Sequence, residues 1–148
     1  MLWEIIKYVI QFLVISLVLL IEQVLSLPFI FFTLLILWTN FQTKPMLILT
    51  TVLMSLFCAV VFSESWLLMF GFIIVTVNVM KLWQTKYGKT WWLSNLHILF
   101  TVAFFSMFVP PQPTAQFLVF SGLSYLISLI ILWSNYRWVN KNKFYRSF

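Results

Sequence analysis

The chain has 148 residues, 63% hydrophobic and 20% aromatic, with only 8% charged; a soluble domain is nearer half apolar and a quarter charged. A surface made from this composition could not be hydrated, so the reading is an all-α polytopic integral membrane protein with lipid as its solvent. The net charge of +6 does not indicate nucleic acid, because the nine Lys and Arg are scattered over loops and ends instead of forming a face that tracks phosphates.

Residues 5 to 38 are mostly apolar. As one helix they would be about 51 Å long, against a hydrocarbon core of about 30 Å, so they must form two segments. Pro28 marks the break, since proline removes a backbone donor and disfavours helix in the residue before it. Helix 1 is then expected at 5–26 and helix 2 at 28–39, the latter short enough to be tilted, re-entrant or sheltered by its neighbours. Val24 to Pro28 lacks the small-residue pattern of a signal-peptide cleavage site, so the first segment is read as retained.

A polar turn from Thr39 to Lys44 precedes Pro45, which suits the start of helix 3 at 46–62. Ser63-Glu64-Ser65 makes a tight hairpin into helix 4 at 66–83, followed by a loop with Lys81, Lys86 and Lys89. From Thr90 to Tyr136 there is no charged residue. Pro110-Pro111-Gln112-Pro113 divides that stretch into helix 5 at 92–109 and helix 6 at 115–136, with a basic tail at 137–148.

Charge supports the count independently. With six helices, Lys7, Lys44, the lysine loop and the basic tail all fall on one side, which the excess of Lys and Arg in cytoplasmic loops makes the cytoplasmic one. Both termini are therefore expected in the cytoplasm. Seven tryptophans, Trp3, Trp38, Trp83, Trp91, Trp92, Trp133 and Trp138, fall near the basic side and Trp66 near the other, as an interfacial belt would.

The chemical inventory is sparse. The acids are Glu4, Glu22 and Glu64, with one histidine, His97, and one cysteine, Cys58. No ligand spacing for a metal, no phosphate-binding glycine loop and no catalytic set is present, so no enzyme activity and no cofactor is expected. Glu22 stands out, because a carboxylate in an apolar helix is costly and often marks a partner or pathway. It is expected to reach the outer interface, with a buried role as the alternative. Asn78 and His97 are candidate intramembrane polar or cavity residues, with hydrogen bonding between helices as their simpler role. Ser55, Ala59 and Ser63, at four-residue spacing, form a candidate helix-packing or partner interface.

Leu27-Pro28-Phe29, opening a short apolar segment before a basic turn, and the run Ser55-Leu56-Phe57-Cys58-Ala59-Val60-Val61-Phe62-Ser63-Glu64-Ser65-Trp66-Leu67-Leu68-Met69-Phe70-Gly71 resemble the bacterial rod shape-determining membrane protein family MreD. The family usually carries a glycine and an aspartate in the helix before that turn, where this chain has Ser55 and Ala59, so no functional residue is carried over. The resemblance implies a non-enzymatic scaffold of cell-wall elongation in the bacterial plasma membrane, with MreC-like proteins and wall-synthesising enzymes as partners. The alternative from another class is a substrate-binding subunit of a vitamin-type transporter, with part of a cavity on the outer side built from Glu22, Asn78, His97, Trp66 and the loop between helices 5 and 6.

Overall fold

The computed structural model describes residues 2–25, 27–40, 42–111 and 115–145. Gln112 and Pro113, used above to place the last break, lie outside them, as do Ser26, Phe41 and residues 146–148 at the end of the basic tail. Among the described residues there are six helices and no strand: α1 Leu2–Leu25, α2 Phe29–Thr39, α3 Lys44–Phe62, α4 Trp66–Tyr87, α5 Trp91–Phe105 and α6 Ala115–Tyr145. All six expected segments are present. α5 ends earlier than the expected 109, at Phe105, and a tighter turn carries the chain on to the prolines, with Met107 N donating to Phe104 O and Phe108 N to Phe105 O.

α6 runs past Tyr136, so the basic segment begins as helix and not as a tail. Nothing from Arg137 to Tyr145 breaks a helix, and the Arg137 guanidinium stacks 5.0 Å from the Trp133 ring one turn earlier.

Five helices, counting α5 together with its following turn, are long and apolar enough to cross a membrane. Their outer faces are apolar: Val9, Leu13 and Leu17 on α1, and Leu118, Leu123 and Ile130 on α6, are all exposed. A soluble protein would not present such continuous apolar surface to water.

α2 is the sixth helix, at 11 residues about 16 Å long, and it occupies the centre. It packs against α1, α4, α5 and α6, and Phe31, Phe32, Thr33, Leu35 and Ile36 are all buried. So short a segment is sheltered by its neighbours. Lipid cannot satisfy the loose backbone at the ends of a short helix, but surrounding protein can.

The packing around α2 is aromatic. Phe32 meets Phe31, Phe72 and Phe105 edge-on at centroid separations of 5.0, 5.7 and 5.4 Å, and Phe105 meets Phe62 at 4.9 Å. Each such pair contributes about 0.5–1.5 kcal/mol beyond its buried area. This cluster draws α2, α3, α4 and α5 together.

Alternation of direction brings the starts of α1, α3 and α5 and the ends of α2, α4 and α6 to one end of the bundle. Contacts at that end, such as Tyr8 with Trp38 and Ser94 with Tyr136, fix it. Lys7, Lys44, Lys86, Lys89 and Arg137 lie there, and Glu64 lies at the other end.

Candidate functional site

Pro28 precedes α2 and offers no side-chain cap. The first-turn N–H groups of α2 still all have acceptors. Phe29 N donates to Leu27 O at 2.9 Å and Phe32 N to Pro28 O at 3.2 Å. The two between them go to a residue on another helix: Ile30 N donates to Glu22 Oε1 at 2.8 Å and Phe31 N to Glu22 Oε2 at 2.6 Å. Glu22 is 2% exposed, so it is buried within the bundle instead of lying open at its surface. The helix N-terminus, with its unpaired donors and positive dipole end, is what makes a carboxylate affordable inside an apolar bundle.

The other end of α2 is also held by α1. Trp38 Nε1 donates to Gln11 Oε1 at 2.8 Å, and the Tyr8 and Trp38 rings lie 5.1 Å apart. Trp38 is therefore buried in the bundle, whereas Trp3, Trp92 and Trp138 are exposed on its surface. Gln11 and Glu22 are eleven residues apart on α1, the length of α2 itself, so α1 grips the short helix at both ends.

Around Gln11 the polar contacts extend to α3. Thr50 Oγ1 lies 3.0 Å from Tyr8 Oη, 2.7 Å from Gln42 Oε1 and 2.8 Å from Met46 O. A hydroxyl has one proton, so Thr50 donates to Gln42 or Met46 and accepts from Tyr8. The Gln42 Nε2 is buried and has no partner among the described residues.

The other candidate residues are dispersed. Asn78 is exposed on the outer face of α4 and donates to Ile74 O of its own helix at 2.9 Å. His97 is buried between α4 and α5, edge-on to Trp83 at 5.9 Å. Neither of its ring nitrogens meets hydrogen-bond geometry, although the Thr76 carbonyl faces it.

Ser55 and Ala59 are buried within the chain, and Trp66 Nε1 donates to Ser55 Oγ at 3.0 Å. The small-residue face is thus used by the α3–α4 hairpin and is not open to a partner. Ser63 does not belong to that face. It is exposed, in the left-handed region at φ 55°, where it terminates α3, and Glu64 N donates to Ala59 O across it.

Sequence reasoning passed over the polar seam between α5 and α6, where Ser94 and Tyr136 hydroxyls lie 2.6 Å apart and Tyr125 donates to Asn95 at 3.0 Å. The available signal was the spacing of Tyr125 and Tyr136, eleven residues or about three helical turns, which puts both on one face of α6.

Among the described residues no three His, Cys, Asp or Glu side chains come together. Two clefts remain. One of about 500 Å³ lies at the Glu64 end, between Gln23, Pro28, Phe62 and the α5–α6 connection. The other, of about 700 Å³, lies at the basic end between α1, α2 and the start of α3. No protein-family model, curated protein or solved structure matches the chain.

Proposed function

We propose that this chain is a non-enzymatic scaffold subunit of the bacterial plasma membrane that acts by holding other membrane proteins, with both termini in the cytoplasm. Following its resemblance to MreD, its setting is the complex for cell shape and wall elongation, with an MreC-like protein and wall-synthesising enzymes as companions. One observation supports this reading above the rest. The candidate polar groups named from the sequence do not converge on a common chamber: Glu22 caps α2, Ser55 holds Trp66 and Asn78 turns back on its own helix.

A transporter subunit needs such groups to face one ligand. Glu22, Asn78, His97 and Trp66, which the transport reading requires around one cavity, lie apart on α1, α4 and α5, and an aromatic cluster fills the centre. A scaffold needs a rigid interior and free helix faces. α1 and α6 supply those faces, since they bury the least of their spanning length.

The test is a pull-down of the tagged chain from its native membrane in a gentle detergent, followed by mass spectrometry of the companions. Co-purification of wall-elongation proteins supports the scaffold. Recovery of an ATPase pair, or of the chain with no protein companion, overturns it.

A further inference from the structure

The cleft at the basic end has a graded lining. Its mouth is polar, with Glu4 and Lys7 on the first turns of α1 and Gln42 and Thr43 from the α2–α3 connection. Deeper in, Val14 and Ile15 of α1 face Leu34 of α2. From Glu4 to Ile15 the helix rises about 16 Å, roughly half of the 30 Å hydrocarbon core, which is the depth of one leaflet.

Polarity that falls off with depth over one leaflet is the profile of a single phospholipid lying parallel to α1. A partner helix would instead need an apolar stripe along its whole contact. The mouth also has the chemistry of a headgroup site. Lys7 provides a cation, the Gln42 amide beside the cleft has an Nε2 with no partner among the described residues, and Glu4 provides an anion one turn from Lys7. Opposite charges one turn apart match a headgroup that carries both a phosphate and an ammonium better than one that is only anionic.

We infer that this cleft binds one amine-bearing glycerophospholipid, with its phosphate at Lys7 and Gln42, its ammonium at Glu4 and one acyl chain between α1 and α2. The lipid completes the face of α1 that α2, being short, leaves uncovered. Unlike the lipids around the outer faces, it is held by named polar groups, so it stays with the protein when the bulk bilayer is removed.

The experiment is native mass spectrometry, with lipid extraction, of the full chain purified through an exchange of mild detergent. The wild type should retain about one phospholipid per chain, with phosphatidylethanolamine enriched over phosphatidylglycerol relative to the membrane. Val14→Trp fills the cleft from an exposed position and should lower retention about tenfold. Glu4→Gln with Lys7→Gln should keep the fold and abolish the headgroup preference. Thermal unfolding of each variant reports folding separately. Three results would overturn the inference: no lipid retained by the folded wild type, equal retention and headgroup composition in both variants, or a lipid-free dimer in which a second copy fills the cleft. None of these depends on which proteins the chain accompanies.

Discussion

Glu22 on α1 and Phe31 on α2 are joined by a 2.6 Å bond from a backbone N–H to a carboxylate oxygen, and this bond fixes where the short central helix begins. The neighbouring Ile30 N–H uses the second oxygen of the same carboxylate. One side chain thus satisfies two donors that lipid could not.

Replacing Glu22 with Ala removes both acceptors and leaves two buried donors unpaired. The expected loss is about 2–4 kcal/mol, from about 1–3 kcal/mol for each orphaned group with some relaxation. Glu22→Gln keeps one acceptor and should lose less. Thermal unfolding in detergent, followed by intrinsic fluorescence, measures both; equal midpoints for wild type and Glu22→Ala would contradict the capping role.

Ser55 sits where α3 and α4 approach, and it is fully buried with Trp66 bonded to it. Ser55→Leu should destabilise the hairpin by about 1–3 kcal/mol through overpacking. Ser55→Ala should cost only about 1 kcal/mol, the value of one hydrogen bond. A Ser55→Leu protein as stable as the wild type would show that this face is not an internal contact.

Ser63 holds a left-handed backbone without being glycine. Ser63→Gly should stabilise the chain by up to about 1 kcal/mol, because glycine adopts this conformation without a Cβ clash, less the entropy it gains when unfolded. Ser63→Val should destabilise by more than that. The comparison of the two unfolding midpoints is the check, and a valine variant at least as stable as the glycine one would remove α3 termination from this position.

Cys58 is 2% exposed and makes no disulfide. A membrane-permeant maleimide should therefore label native protein slowly and label it fully once the bundle is heated through its transition. Fast labelling of the folded chain would mean that α3 does not bury this face.

On a Cys58→Ser background, cysteines placed at Lys89 and at Glu64 test the orientation. An impermeant thiol reagent added to intact cells should reach the second position and not the first. The opposite pattern would place the basic end outside.

The helices were legible in the sequence because their signals are local. Pro28 and the Pro110-Pro111 pair interrupt backbone hydrogen bonding wherever they stand, Pro45 suits a first helical turn, and twenty apolar residues in a row cannot be hydrated whatever they pack against. Position within the bundle was not legible. Glu22 and Asn78 are both polar residues in apolar helices, and nothing local distinguishes the one that caps a neighbouring helix from the one that faces outward. In the same way Trp38 carries the composition of a belt residue, but it is buried because Gln11 lies across from it. Ser55, Ala59 and Ser63 share a spacing, yet only the turn after Phe62 decides that the third leaves the face. The sequence by itself determined how many apolar helices there are and where they break, because chain chemistry and solvent set both. The tertiary structure alone decided that the shortest helix is the centre, because its unpaired backbone ends had to be met by side chains from a helix that only folding brings alongside.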